Sequence, residues 1–294
     1  MKKQKIKKGI ILAGGKGTRF EPFTLYTSKH LLPINDKPMI FYPLANFIKN
    51  GIKEILIISD KKFIGDYYKL LGSGKKIGVS FRYKVQKAPG GLPEALILGE
   101  KFVNDEPFAL NLGDHILFGA DVDKILSESF SQSGNTIFTI NHSKTRDYGV
   151  LEKLKKSQRF QIVEKPKKTN SKKIVVGIYV YNREAIEIAK KLKPSQRNEI
   201  EITDLNNLLI QKNKIKIKHL NNKKNFWFDA GDAKKVFAIS KFVNNYEKKK
   251  KQNIANLNEI ALLKKLINKD KFYQEIKNKK GPYFDYLKNQ YENN

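Results

Sequence analysis

Short apolar runs alternate with amphipathic stretches along the first two-thirds of the chain. Residues 8–12 and 54–59 are largely apolar, the pattern of strands buried on both faces. Between them, Lys37-Pro38 opens a helix in which Ile40, Leu44, Phe47 and Ile48 share a face and Gly51 closes it. Residues 79–86 read as a strand, 93–103 as a helix, and 107–112 as an apolar strand that stops at Gly113-Asp114. Further strands are expected at 136–140, 150–154, 160–164 and 175–181, helices at 183–192 and 201–211, and short strands at 214–220 and 226–229. Such repetition predicts an α/β fold with a mostly parallel sheet covered by helices on both faces. Sheets of this kind bind ligands at the carboxyl ends of their strands. The 14–19 loop, Gln86, Asp114 and Glu164-Lys165 all fall there.

From about residue 240 the pattern becomes helical and strongly basic, with helices expected at 254–266, 269–276 and 283–291. The aromatic residues Tyr283, Phe284, Tyr286 and Tyr291 indicate that this tail packs on something. The expected organisation is an α/β domain over 1–240 and a helical extension over 241–294. Lys and Arg exceed Asp and Glu by 58 to 29, a formal net charge of +29. The lysines are spread over helices and loops instead of gathering on one aromatic-flanked face, so the charge reads as compositional drift on solvated surfaces and not as a dedicated nucleic-acid site, though it would still help draw in anionic sugar phosphates and nucleotides. Cysteine is absent, which excludes disulfides, thiolate metal sites and a cysteine nucleophile. No apolar run is long enough for a membrane span or a signal peptide. A cytoplasmic location is expected, with no membrane partner.

The densest chemistry lies in GIILAGGKGTRFEPFTLYTSKHLLP, residues 9–33. An apolar strand runs into Gly14, Gly15 and Gly17, where missing Cβ atoms let backbone N–H groups crowd around a phosphate. Thr18 and Arg19 follow, then Lys29, and the two cations suit a polyphosphate. The spacing is neither that of a Walker A loop nor of a dinucleotide fingerprint.

LAGGKGTRF followed by SKHLLPINDKPMIFYPL resembles the sugar nucleotidyltransferases, and among them the glucose-1-phosphate thymidylyltransferases. The likeness continues in family order through YKVQKAPGGLPEAL, LNLGDHILFG, DYGVLE, VEKP, VGIYVY, RNEIEITDLNN and FWFDAG. It implies a Rossmann-like fold and Mg²⁺-dependent transfer of dTMP from dTTP to glucose 1-phosphate, giving dTDP-glucose and pyrophosphate for deoxysugar or surface-polysaccharide synthesis. The same chemistry with UTP or another hexose 1-phosphate, or a silent nucleotide-sensing protein, are the alternatives. The resemblance also implies a homo-oligomer, a tetramer or a dimer, with the C-terminal extension in subunit and regulatory contacts.

Residue by residue, the resemblance gives Arg19, Lys29 and Lys165 catalytic roles. The first two would hold the triphosphate, and Lys165 the phosphate of the sugar. Leu12, Gly14, Gly15, Gly17, Thr18 and Asp114 would line the nucleotide, with Gln86 and Gly91 at its base. Tyr148, Gly149, Glu164, Val175, Tyr179 and Arg197 would form the sugar side, joined by Glu199, while Thr203-Asp204 would cap and pack a helix. Asp114 and Asp229 each follow an apolar strand and are the candidate Mg²⁺ ligands. Three positions depart from the family pattern: His115 stands after the metal-binding aspartate, GLPEA replaces GLAQA, and Asn222-Lys223-Lys224 replaces a Gly-Arg-Gly.

Overall fold

The computed structural model describes residues 5–87, 90–132, 134–154, 159–195 and 199–292. The chain opens with β1 (Lys8–Leu12), the short strands β2 (Pro33–Ile34) and β3 (Lys37–Pro38), α1 (Phe41–Lys49), β4 (Glu54–Asp60) and α2 (Ile64–Leu71). It continues with β5 (Ser80–Gln86), α3 (Leu92–Val103), β6 (Phe108–Leu112), β7 (His115–Gly119), α4 (Val122–Phe130) and β8 (Asn135–Asn141). Strands β9 (Gly149–Lys153), β10 (Phe160–Glu164) and β11 (Lys173–Tyr181) precede α5 (Arg183–Lys191) and α6 (Ile202–Gln211). Last come β12 (Ile215–Leu220), β13 (Asn225–Asp229), α7 (Ala233–Lys250), α8 (Leu257–Leu263), α9 (Lys269–Ile276) and α10 (Pro282–Glu292).

The central sheet is mixed, in the order β10-β9-β11-β6-β1-β4-β5, with β8 against β11 and β12 beyond it. β1, flanked by β4 and β6, makes the parallel half with β5. β11 turns the direction, pairing antiparallel with β6, β8 and β9. Alternate residues of β1 serve two cores: Ile11 packs with α1 on one face and Ile10 with α3 on the other. Both helices approach closely. A Cβ at Gly9 would meet the Phe47 ring at 2.5 Å, and one at Gly99 would meet Ile10 at 2.3 Å. No helix among the described residues is long and apolar enough to cross a membrane.

Two local expectations are corrected. Lys37-Pro38 starts no helix, because it pairs with Pro33–Ile34 instead. The Lys37 ammonium is fully buried against Asp36 and, at 3.1 Å, Glu247 of α7, a tertiary attraction that overrides the local helix signal. Helix α8 begins only at Leu257, since Ala255 adopts φ +56° and the Asn256 side chain caps the helix by accepting the Glu259 N–H. Elements α2, β7 and α4 had no counterpart in the sequence pattern. Helix α7 runs continuously through residue 240, and Leu257, Ile260, Phe272 and Leu287 beyond it join the core that holds α1.

Candidate active site

Beyond β1 the chain turns through 13–17. The Ala13 N–H donates to the Ile58 carbonyl at 2.7 Å, and the Ala13 carbonyl accepts from the Ser59 hydroxyl at 2.8 Å, which anchors the turn to β4. Gly15 adopts φ +107°, a conformation that costs other residues dearly. Thr18–Phe20 form one 3₁₀ turn that presents Arg19 to solvent, where it makes no hydrogen bond or ion pair with another described residue.

Lys29 and Asp114 form an ion pair at 2.6 Å, each side chain only 15% exposed. Three buried groups hold the lysine turn: the Ser28 hydroxyl lies 2.6 Å from the Tyr67 hydroxyl and 3.1 Å from His30 Nδ1, and Tyr67 also donates to the Ala13 carbonyl. Burial, then the charge of Lys29, pushes the His30 ring down to about 3, so it is neutral at physiological pH. Burial alone would raise the Asp114 carboxyl. The charge of Lys29, with the hydrogen bond it donates, outweighs burial and holds the carboxyl well below the usual carboxylate range.

Asp229 comes to the same place through strand pairing. It lies opposite His115 in the β7–β13 ladder, and the Ala230 N–H donates to the Asp114 carbonyl at 3.0 Å. Its carboxylate accepts from the Tyr148 hydroxyl at 3.2 Å and from Lys235 at 3.1 Å. His115 Nδ1 accepts from the Gly177 N–H at 2.9 Å and the Trp227 indole N–H at 3.2 Å, which assigns its proton to Nε2. This buried ring therefore orders the wall of the site, and burial lowers its basicity. Tyr148 packs edge-on against Trp227 and His142. Burial and the Asp229 charge raise its hydroxyl, opposed by the charge of Arg19.

The next contact leads on to Lys165, whose backbone N–H donates to the Tyr148 carbonyl at 3.0 Å. Lys165 holds φ +45°, an uncommon conformation for a residue with a Cβ, and its ammonium is half-exposed 3.9 Å from Glu164. Glu164 accepts from the Thr203 hydroxyl at 2.6 Å and pairs across β9–β10 with Gly149. Tyr179 is buried and stacked on Tyr181, and Val175 packs against the same core. Arg197 lies outside the described residues.

On the other flank a cavity of about 190 Å³ is lined by Leu12, Gly14, Lys29, Gln86, Gly91 and Asp114, among others. Glu199 borders it too. Gly91 has φ +91°, and a Cβ there would sit 2.1 Å from the Ile200 carbonyl oxygen. Contacts thus run unbroken from the glycine turn through Lys29, Asp114, Asp229 and Tyr148 to Lys165, Glu164 and Thr203.

Sequence reasoning missed Lys235 as the partner of Asp229, Tyr67 as the anchor of the lysine turn, and the bond from Thr203 to Glu164. A signal existed for Lys235. Asp232 caps α7 by accepting the Lys235 N–H at 2.9 Å, which puts that lysine in the first turn beside the strand end. Asp114, in the turn before β7, and Asp229, at the end of β13, offer hard oxygen donors, the ligand type that suits a small divalent cation. No group of three or more potential metal ligands occurs among the described residues. The two carboxylates therefore fit a cation whose remaining ligands are waters and phosphate oxygens.

A family model described as nucleotidyl transferase matches residues 8–246. A glucose-1-phosphate thymidylyltransferase of Neisseria meningitidis serogroup A is 39% identical over 256 residues, 86% of this chain and 88% of the relative. Another of that name, from Mycolicibacterium smegmatis, is 34% identical over 281 residues, 95% of this chain and 97% of the relative. A crystal structure of UDP-glucose pyrophosphorylase complexed with UDP-glucose superposes with a TM-score of 0.70 at 27% identity, covering 83% of this chain and 99% of that one.

Proposed function

Because the chain belongs to the nucleotidyl transferase family, we propose that it transfers dTMP from dTTP to α-D-glucose 1-phosphate, releasing pyrophosphate. A phosphate oxygen of the sugar attacks the α-phosphorus, and pyrophosphate leaves on the opposite side. The attacking phosphate is already anionic, so the reaction needs no general base. It needs alignment and charge neutralisation instead. The observation that carries this reading is the unbroken run of contacts from the glycine turn to Glu164 and Thr203. That run sets exposed cations, Arg19 and Lys165, at its two flanks and carboxylates between them.

In this reading the glycine turn and Arg19 hold the triphosphate, and Lys165 binds the phosphate of the sugar. Glu164, oriented by Thr203, accepts hydrogen bonds from sugar hydroxyls. Gln86 and Gly91 meet the pyrimidine. Nucleotidyl transferases of this kind act with a divalent cation, which Asp114 and Asp229 would hold as Mg²⁺. Bound there, the cation supplies neutralising charge to the phosphates. In the free protein Lys29 and Lys235 balance those carboxylates. On the same basis we assign residues 241–294 to contacts between subunits of a cytoplasmic homo-oligomer.

A uracil base shares the pyrimidine edge of thymine, and one structural relative is a UDP-glucose pyrophosphorylase, so UTP is the second candidate. A pyrophosphate-release screen crossing dTTP, UTP, dCTP, ATP and GTP with several hexose 1-phosphates tests both. Fastest release from dTTP with glucose 1-phosphate supports the first reading, and preference for UTP supports the second. No release with any pair overturns both.

A further inference from the structure

Gln86 ends β5, and Glu94 stands in the first turn of α3. Gln86 Nε2 donates to Glu94 Oε2 at 2.5 Å, and the same oxygen accepts the Gly90 backbone N–H at 2.9 Å. Glu94 is the third residue of its helix, a position from which a carboxylate turns back to bond an N–H at the helix start. A carboxylate can only accept hydrogen bonds, so Gln86 must turn its NH₂ toward it. The carboxamide oxygen is then left facing Gly14, so close that a Cβ there would lie 2.5 Å from it. Among the described residues that oxygen has no hydrogen-bond partner, and Gln86 lines the cavity between Gly14 and Gly91.

We infer that Glu94 is a positioning residue that fixes which face of the Gln86 carboxamide meets the base, and thereby selects 4-oxo pyrimidines over cytosine. This rests on the proposed transfer from a pyrimidine nucleoside triphosphate. Thymine and uracil present an N3–H donor flanked by carbonyl acceptors. The Gln86 oxygen can accept that N3–H, while the second hydrogen of its NH₂ remains for a carbonyl of the base. Cytosine presents an acceptor at N3 and an amino donor at C4, and its pairing needs the carboxamide reversed. Reversal would turn the carboxamide oxygen onto the Glu94 carboxylate, two acceptors with no proton between them. Discrimination therefore comes from a clash of acceptors set up beside the base site.

The test compares wild type, Glu94→Gln and Glu94→Ala, measuring pyrophosphate release from dTTP and from dCTP with glucose 1-phosphate. Glutamine keeps an acceptor for the Gly90 N–H but can also donate, so the Gln86 carboxamide becomes free to turn. In both variants the dTTP to dCTP ratio of kcat/KM is expected to fall about tenfold, the worth of one well-placed hydrogen bond. The loss should sit in KM for dTTP more than in kcat. Wild-type ratios in both variants would overturn the inference. So would equal losses for both nucleotides accompanied by a lowered Tm, which would make Glu94 a helix cap alone. A wild-type enzyme that releases no pyrophosphate from dTTP or UTP would defeat the proposed reaction itself, a result distinct from either.

Discussion

Lys29 and Asp114 lie 2.6 Å apart in a site that excludes most water, and the lysine keeps the carboxylate ionised against the effect of burial. The pair joins two sequence segments 85 positions apart, and in the proposed reaction it would seat a carboxylate for the metal beside an ammonium for phosphate.

Replacing Lys29 by Met leaves Asp114 buried beside an apolar side chain. Breaking such a pair is expected to cost about 3 kcal/mol at pH 7. In the native chain the Asp114 carboxyl lies below its unfolded value of about 4, so its stabilisation is complete above that value and fades as pH falls through the folded one. In Lys29→Met unopposed burial raises the folded value, and the penalty is relieved as the carboxyl protonates. Denaturant melts should therefore show a wider gap between the two proteins at pH 7 than at pH 4. A gap independent of pH would show that the charge of Asp114 is not what Lys29 compensates.

Gly14→Ala and Gly15→Ala should fail differently. A methyl at Gly14 meets the Gln86 carboxamide oxygen, a movable side-chain end, so stability changes little while KM for the nucleoside triphosphate rises about tenfold. At Gly15 the space is open but φ is +107°, so Tm falls, at a cost of about 1 kcal/mol. Melting curves beside steady-state kinetics separate the two. An unchanged KM in Gly14→Ala would contradict the assignment of Gln86 to the nucleotide.

Thr203→Val removes the hydroxyl that donates to Glu164. KM for glucose 1-phosphate should rise about fivefold, as expected for one hydrogen bond, with KM for dTTP held. An unchanged sugar phosphate KM, or a nucleotide KM that rises with it, would remove this bond from the sugar side.

What the sequence made legible was local. The apolar run of β1, the glycines that follow it and the strand-ending Asp114 each carry their signal within a few residues. The alternation of strands and helices likewise predicted the layered fold. Lys37-Pro38 misled because Glu247, more than two hundred positions away, draws the lysine into the core. Tyr67 was invisible for the same reason, since it acts on Ser28 and Ala13, which only the folded chain brings near. His115 departs from the family pattern, yet its ring is bound to the Gly177 and Trp227 N–H groups. That substitution becomes intelligible only once β7, β11 and β13 are placed together.

The most direct measurement follows the products of dTTP and glucose 1-phosphate with wild type and Arg19→Ala, with and without a chelator. Wild type should form pyrophosphate and dTDP-glucose in equal amounts, stop when the divalent cation is removed, and lose at least about a hundredfold in rate in the variant, a loss typical when a transition-state charge contact is deleted. Pyrophosphate released without a nucleotide sugar, or a variant as fast as wild type, would contradict a single cleft that joins the two anions.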